Sequence, residues 1–206
     1  MRTLFSTKTL SVVNVPSEVL EDLQEGRLSG EEREILESRG FLVKSQGEEQ
    51  REILGYLDDL NAVSRTYTAI VILNLDCNLG CTYCYEGTRK GKHYLSSDTA
   101  DAFVKFLSSA PLEGKERISV VFYGGEPLLS VDNIVRIAAG VSTLAESRGM
   151  AAVYSLITNG TLLTRRVVEK LKPLGLKAAC VTLDGPREVH DSFRPFLGGA
   201  GSFDVI

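Results

Sequence analysis

Three cysteines lie close together in the segment LDCNLGCTYCYEG, residues 75–87. Cys77, Cys81 and Cys84 are separated by three and then by two residues, and an apolar run precedes them directly. Cysteine thiolates bind zinc and iron–sulfur clusters, and paired thiols form disulfides. The spacing therefore predicts metal or redox chemistry on one short loop.

Three thiolates on a compact loop can each hold one iron of a cubane cluster, which leaves the fourth iron open to a small molecule. Structural zinc requires four closed ligands, and no fourth Cys or His follows at zinc-finger spacing. His93 is the nearest candidate, but we expect it on a solvated loop with its neighbours in TRKGKH. A disulfide with one spare thiol is disfavoured in a reducing compartment. The spacing favours the cluster, and zinc and a disulfide stay open as alternatives.

The composition is that of an ordinary globular protein, with 43% hydrophobic and 24% charged residues in 206 positions. A net charge of −4 gives no basic footprint, so we expect no nucleic-acid partner. No apolar run approaches the length of a membrane span, and the first residues do not form a secretion signal. We therefore expect a cytoplasmic protein with no membrane partner.

Residues 67–206 predict an α/β fold in which strands and helices alternate. The strands are TAIVILNL, RISVVFY, AVYSLIT and LKAACVTLDG, and the first two are expected to be buried on both faces. Cys180 lies in the last strand, and we expect it to be buried there as a small hydrophobic residue outside the site. Four βα units in series predict a parallel sheet, in an open or a barrel form.

Residues 1–66 predict a separate small acidic module, mostly helical and winged-helix-like. TLSVVNV and FLV predict short strands, and Ser29 is the candidate N-cap of the second of three helices. The module is interpreted either as a peptide-recognition element or as a helical extension that packs on the main domain.

The chain ends at GGAGSFDVI, where a fourth helix is expected to begin. Four strands cannot close a barrel, and an open apolar edge is a pairing hazard. We expect the second domain, residues 67–206, to be incomplete at its C-terminus.

Three further segments follow predicted strands, in the order FYGGEPLL (122–129), ITNGTLL (157–163) and TLDGPREVHDSFRP (182–195). Together with the Cys-x3-Cys-x2-Cys loop they resemble the motifs of the radical S-adenosylmethionine (SAM) superfamily. The resemblance covers about residues 68–206 and points to the peptide- and protein-modifying (SPASM-type) branch. That branch includes anaerobic sulfatase-maturing enzymes and ribosomal-peptide maturases, and the geopeptide type is the one suggested here. The fold implied is a partial TIM-like (β/α) barrel of about four units.

The resemblance implies an enzyme with two cofactors, a [4Fe–4S] cluster held by Cys77, Cys81 and Cys84, and SAM on the open iron. Cleavage of SAM would give a 5′-deoxyadenosyl radical that abstracts a hydrogen atom from a peptide or protein substrate. A flavodoxin or ferredoxin type of donor would supply the electron.

The resemblance also implies a set of SAM contacts. Tyr83 would press against the adenine, although a core aromatic is the plainer interpretation. The backbone of Gly124 and Gly125 and the Glu126 carboxylate would accept hydrogen bonds from the SAM ammonium. The ribose hydroxyls or the SAM carboxylate would bind Thr158, Asn159 and Asp184, which are also typical turn residues.

The HD..R run, His190, Asp191 and Arg194, is interpreted as capping or salt bridging within its loop. The C-terminal cysteine-rich domain of the branch does not follow in this sequence. Three hypotheses are open: a radical enzyme that modifies a peptide, a catalytically incompetent fragment, and a peptide-binding adaptor formed by residues 1–66.

Overall fold

The computed structural model describes residues 1–43 and 45–206, which form two compact units, Met1–Val63 and Ser64–Ile206. Each unit has its own helices and strands. The sequence-based division at residue 66 lies three residues beyond the end of the first unit. The peptide-recognition role of that unit stays a prediction.

The first unit contains a β-hairpin followed by three helices. These are β1 (Arg2–Phe5), β2 (Val12–Val15), α1 (Ser17–Gln24), α2 (Gly30–Ser38) and α3 (Gln46–Val63), with β1 antiparallel to β2. β1 was not predicted, and the strand predicted at FLV is wrong. The backbone N–H groups of Phe41 and Leu42 donate instead to the Leu36 carbonyl, so this segment closes α2.

The N-terminus of α2 is fixed by the residue that the sequence predicted. The Ser29 hydroxyl accepts from the backbone N–H of Glu32, and the Glu32 carboxylate accepts from the Ser29 N–H in return. This reciprocal capping box satisfies two donors that the first turn would otherwise leave unpaired.

The second unit is an α/β unit, as predicted, in which strands and helices alternate along the chain. The order is β3 (Thr66–Ile72), α4 (Ser97–Ser108), β4 (Arg117–Tyr123), α5 (Val131–Ser147), β5 (Ala151–Thr158), α6 (Arg165–Leu171), β6 (Leu176–Val181) and α7 (Arg187–Phe193). β3 to β6 pair in parallel and in sequence order. Their carboxyl ends therefore lie at one edge of the sheet, where ligands bind in such folds.

The core lies on one face of this sheet. On β4 the residues Ile118, Val120 and Phe122 are fully buried, and the residues between them are partly exposed. The prediction that the first two strands are buried on both faces is wrong, since Ile70 and Ile72 of β3 are 66% and 54% exposed. Because these strands carry apolar residues on both faces, their sequence does not show the alternation of buried and exposed positions that a sheet covered on one side produces.

Cys180 is exposed, which corrects the prediction that it is buried. It lies on β6, an edge strand on which four of the six positions are exposed. The thiol does not line the cavity described below, so its exclusion from the site stands.

The segment Pro127–Ser147 has the length and the apolar composition of a membrane span. The sequence analysis did not expect one. In the structure this segment includes α5, whose residues Ile134, Ile137, Ala138 and Val141 are buried in the core. Its apolar character is that of a core helix, because one face packs against the sheet.

Candidate functional site

The cysteine loop follows β3 and is held in place by the segment that follows α7. Leu79 is fully buried and forms a β-bridge with Phe196. The Gly80 N–H donates to the Pro195 carbonyl at 2.7 Å, and the Leu197 N–H donates to the Asn78 carbonyl at 3.2 Å. Residues more than 110 positions apart therefore set the shape of the loop.

The three cysteines line one open cavity of about 270 Å³ at the carboxyl edge of the sheet. Five of the predicted SAM contacts line it as well: Tyr83, Gly124, Gly125, Thr158 and Asn159. Glu126 and Asp184 are not among the lining residues, although both bond to residues that are. The structure thus brings together motifs that are spread over more than 100 residues of sequence.

The thiols are unpaired, and hydrogen bonds reach the most buried of them. The Cys77 sulfur accepts from the Leu79 N–H at 3.4 Å and from the Asn159 amide at 3.7 Å. Burial raises the pKa of Cys77 and of Cys81, while Lys90 opposes the shift at both thiols. Donors and cations around sulfur are what an anionic cluster with thiolate ligands requires.

The donor set does not suit a single metal ion. In the described ranges, 1–43 and 45–206, no three His, Cys, Asp or Glu side chains converge closely enough to hold one ion. Mononuclear zinc would need its ligands within about 2.0–2.3 Å of one point. A cluster that offers a separate iron to each thiolate tolerates wider spacing, so the three thiols on a shared cavity fit the cluster better than zinc.

Two buried polar atoms at the cavity have no partner in the described part of the chain, Glu86 Oε2 and Arg194 Nε. A buried polar group left unpaired costs about 1–3 kcal/mol. Both residues line the cavity, but these two atoms are themselves inaccessible from it, so they do not mark the position of a ligand.

Gly124 and Gly125 are required by the chain itself as well as by any ligand. A Cβ on Gly124 would lie 2.5 Å from the Asn74 carbonyl oxygen, and a Cβ on Gly125 would lie 2.3 Å from that of Asp76. The backbone N–H of Glu126 donates to the same Asp76 carbonyl at 2.8 Å. The glycines therefore let the end of β4 pack directly against the start of the cysteine loop.

Glu126 is fully buried and joins the ends of β4 and β5. Its carboxylate accepts from the Thr158 hydroxyl at 2.7 Å, the Asn159 N–H at 2.8 Å and the Leu128 N–H at 2.9 Å. Burial raises the pKa of Glu126 against the lowering effect of these donors. A carboxylate has about four acceptor positions, so three donors leave one on Oε2 for another partner. The predicted contact with the SAM ammonium stays a prediction.

Asn159 connects the end of β5 to the cysteine loop. Its side-chain amide donates to the side-chain oxygen Oδ1 of Asn78 at 2.8 Å, and the Asn78 side-chain amide donates in turn to the Thr161 hydroxyl. Thr161 closes the ring by donating to Asn159 at 2.7 Å. Asn78 and Thr161 were not predicted as site residues, because the sequence does not show that they meet.

Asp184 orients Tyr83 instead of lining the cavity. The Tyr83 hydroxyl donates to the Asp184 carboxylate, and Arg194 donates to the Tyr83 oxygen at 2.8 Å. Arg194 also lies 3.9 Å from the second Asp184 oxygen. The Tyr83 ring is 53% exposed and lines the cavity, so it is held at its hydroxyl end with its face available.

The HD..R run supports this arrangement by capping and hydrogen bonding, as the sequence interpretation expected. The Asp184 N–H donates to Nδ1 of the buried His190, whose Nε2 lies 3.0 Å from the Ser202 hydroxyl. Asp191 accepts from the Phe203 N–H at 2.9 Å. Nδ1 is an acceptor here, so Nε2 carries the proton and donates to Ser202.

Several further residues line the cavity that the sequence analysis did not assign to it: Tyr85, Glu86, Lys90, Tyr123, Ile157, Thr182 and Arg194. Lys90 was expected on a solvated loop, but its ammonium donates to the Leu79 carbonyl inside the cysteine loop. The sequence did contain an indication that Lys90 lies at the site. Lys90 follows Cys84 by six residues, and this short distance keeps it on the same loop.

Comparisons with known proteins agree with this geometry. The family model that matches residues 71–206 is that of the radical SAM superfamily. Fe-coproporphyrin III synthase of Methanosarcina barkeri is 36% identical over 148 residues, which are 69% of this chain and 33% of that protein. The cysteine-type anaerobic sulfatase-maturating enzyme of Clostridium novyi is 28% identical over 137 residues, 64% of this chain and 36% of that enzyme.

A similar fold is found in the solved structure of native anSMEcpe with bound AdoMet. It has a TM-score of 0.58 and 24% sequence identity over 68% of this chain and 38% of that one. The structure of the same protein with AdoMet and the Cp18Cys peptide gives a TM-score of 0.56. The chain spans about a third of the length of the curated relatives named above. The cysteine loop, the glycine turn packed on it and the family match over most of the second unit lead to one conclusion: this chain belongs to the radical SAM superfamily, whose cofactors are a [4Fe–4S] cluster and SAM.

Proposed function

We propose that this chain carries out radical modification of a peptide or protein, using SAM bound beside the cysteine loop. The observation that carries the proposal is the shared cavity, where three free thiols of the cysteine loop meet residues of the three other motifs. The likeness to sulfatase-maturating enzymes supports a peptide or protein as the substrate. The proposal includes a cytoplasmic location and electron supply by a flavodoxin- or ferredoxin-type protein.

In this proposal Cys77, Cys81 and Cys84 are the ligands of the cluster, and each binds one iron. When bound, the cluster and SAM together supply an adenosyl radical that removes a hydrogen atom from the substrate. Lys90 opposes the rise in pKa that burial causes at Cys77 and Cys81, Arg194 does so at Cys81, and both cations would stabilise the negative charge of a bound cluster.

The remaining cavity residues, and two residues bonded to them outside the cavity lining, bind and orient SAM. Tyr83 offers a ring face for stacking on the adenine, at an angle that Asp184 and Arg194 fix. Glu126, Thr158 and Asn159 hold the ends of β4 and β5 together, so that the polar groups facing SAM do not have to reorganise when it binds.

A second substrate class is favoured by one specific observation. The relative with 36% identity is named Fe-coproporphyrin III synthase, and it covers more of this chain than the sulfatase-maturating enzyme of Clostridium novyi does. An iron tetrapyrrole is therefore the competing substrate. The cavity does not distinguish a peptide substrate from a tetrapyrrole substrate, because its lining residues are those expected to contact the cofactors.

The test is a direct competition between the substrate classes. The anaerobically reconstituted chain is incubated with SAM and dithionite together with either the Cp18Cys peptide or an iron tetrapyrrole precursor of Fe-coproporphyrin III, each labelled with deuterium. Deuterium that appears in 5′-deoxyadenosine from the peptide alone supports the proposal. Transfer from the tetrapyrrole alone replaces the peptide with the second candidate. Iron loading without cleavage of SAM would favour the incompetent-fragment hypothesis.

A further inference from the structure

Lys90 places a positive charge on the cysteine loop that no carboxylate neutralises in the part of the chain that the structure describes. It lines the cavity together with the three cysteines, but the ion pairs among the described residues do not include it. Arg194, the other cation among the described lining residues, lies 3.9 Å from the Asp184 carboxylate. Lys90 is therefore the cation whose charge is available to an anionic group in the cavity.

Backbone hydrogen bonds hold Lys90 against the cysteine loop. The Gly87 N–H donates to the Cys84 carbonyl at 3.1 Å, and the Lys90 N–H donates to the Gly87 carbonyl at 3.4 Å, so the chain turns back after the last cysteine. One residue beyond Lys90, the Gly91 N–H donates to the Leu75 carbonyl at 3.0 Å. The backbone on both sides of Lys90 is thus fixed to the two ends of the loop.

The ammonium of Lys90 reaches a peptide unit between the first two cysteines. It donates to the Leu79 carbonyl, and the N–H of the same peptide unit, that of Gly80, donates to the Pro195 carbonyl at 2.7 Å. The Leu79 N–H donates to the Cys77 sulfur at 3.4 Å. Because Leu79 lies midway between the first and second cysteines, the charge of Lys90 lies beside both of their thiols.

A cation fixed in this position affects the reduction of a cluster. Reduction of a [4Fe–4S] cluster adds one negative charge, so a nearby positive charge favours the reduced form and raises the reduction potential. Hydrogen bonds to the ligand sulfurs act on the potential as well. Lys90 is half-buried, so solvent and salt screen its charge less than they screen that of an exposed lysine.

We propose that Lys90 sets the reduction potential of the cluster, by holding a positive charge at the Leu79 carbonyl beside the cysteines that bind it. This inference rests on the proposed function, in which the three cysteines of the loop are the cluster ligands. Lys90 is a positioning residue and not a ligand, and no bond to it forms or breaks. The electron comes from the one-electron donor protein, or from dithionite in vitro, and the charge of Lys90 makes its transfer more favourable.

Two plainer roles for Lys90 lead to different expectations. A lysine that only braces the loop through the Leu79 carbonyl would affect stability and iron content, but not the potential of the cluster that does form. A lysine that binds the SAM carboxylate would affect the affinity for SAM, and the potential measured without SAM would not change. The ammonium lies on a carbonyl between two ligands, which favours an effect on the potential.

The test is a potentiometric titration of the anaerobically reconstituted full chain, without SAM or substrate, in which electron paramagnetic resonance measures the reduced cluster. Lys90→Met removes the charge and should lower the equilibrium constant for reduction about tenfold, which is a midpoint about 59 mV more negative for a one-electron couple. Lys90→Arg keeps the charge and should stay close to the parental midpoint. Lys92→Met removes an exposed lysine from the same segment and is the matched control.

A midpoint that falls in Lys90→Met, and stays parental in Lys90→Arg and Lys92→Met, supports the proposal. It is overturned if Lys90→Met has the parental midpoint at full iron content, if Lys92→Met shows an equal shift, or if Lys90→Met weakens SAM binding alone. If Lys90→Met takes up no iron, Lys90→Gln is measured by the same criterion. Failure of both neutral variants to take up iron would assign Lys90 to holding the cluster and would overturn its role in the potential.

Because the midpoint is measured without SAM or substrate, this inference and the proposed function can fail separately. A chain whose midpoint depends on Lys90, but which never cleaves SAM, would contradict the proposed function and leave the inference intact. A chain that transfers deuterium from the peptide, but whose midpoint is the same in Lys90→Met, would overturn the inference and leave the proposed function intact.

Discussion

Single residues in this site act through hydrogen bonds that cross long distances in the sequence. The cysteine spacing was readable because all three thiols lie within eight residues. The roles of Asn78 and Arg194 were not, since their partners Thr161 and Tyr83 are 83 and 111 positions away. Glu126 was predicted as a polar residue of the site. The sequence does not show, however, that three donors within the chain already bond to its carboxylate.

Glu126→Gln should lower the free energy of unfolding by about 1–3 kcal/mol, because the amide NH2 in place of Oε2 cannot accept from the Asn159 N–H and leaves that buried donor unpaired. Urea denaturation of the apoprotein measures the change. Glu113→Gln alters an exposed glutamate and should stay within about 0.5 kcal/mol of the parent. Equal stability of the two variants would show that the hydrogen bond from Asn159 to Glu126 does not brace the strand ends.

Tyr83→Ala should weaken SAM binding by roughly tenfold, since stacking of a base on an aromatic ring contributes about 1–3 kcal/mol. Tyr83→Phe keeps the ring and loses only the bonds to Asp184 and Arg194, so its effect should be smaller. Equilibrium dialysis with labelled SAM measures both. Identical losses for Phe and Ala would mean that the hydroxyl, and not the ring, makes the contact.

Elements were predicted best where local chemistry determines them. The Ser29 cap starts α2 as predicted, because its side chain accepts from a backbone N–H three residues later, and Thr164 caps α6 in the same way. Two predictions were wrong, namely a strand at FLV and the burial of β3 on both faces. In each case the composition was apolar, but the outcome depended on tertiary neighbours, namely the end of α2 and the uncovered face of the sheet.

The turn after β4 gives a sharp test at this scale. Gly125→Ala places a Cβ 2.3 Å from the Asp76 carbonyl, so the turn must separate from the cysteine loop. We expect a loss of about 2–4 kcal/mol in stability and reduced iron content after reconstitution. Gly198→Ala, where no atom lies within 4 Å of the added Cβ, is the control. Unchanged iron content in Gly125→Ala would show that the loop does not depend on this packing.

At the scale of the whole molecule, the two units differ in net charge and in the arrangement of their helices and strands. The order of parallel strands and the motif that follows each strand could be predicted from the sequence, since hydrophobic runs and motifs recur in a fixed alternation. The exposure of Ile53 and Leu57 could not be predicted, because it depends on what the first unit leaves uncovered. The chain covers about a third of its curated relatives, so substrate and turnover are properties to be measured.

The most direct test of the account is the electron paramagnetic resonance spectrum of the anaerobically reconstituted, dithionite-reduced chain, recorded with and without SAM. The account predicts a reduced [4Fe–4S] signal that changes shape when SAM is added, because SAM binds the iron that has no protein ligand. Cys180→Ala should give the parental spectrum, and Cys81→Ala should give no cluster signal. A cluster signal that SAM leaves unaltered, or a four-thiolate zinc centre in the X-ray absorption spectrum, would contradict it.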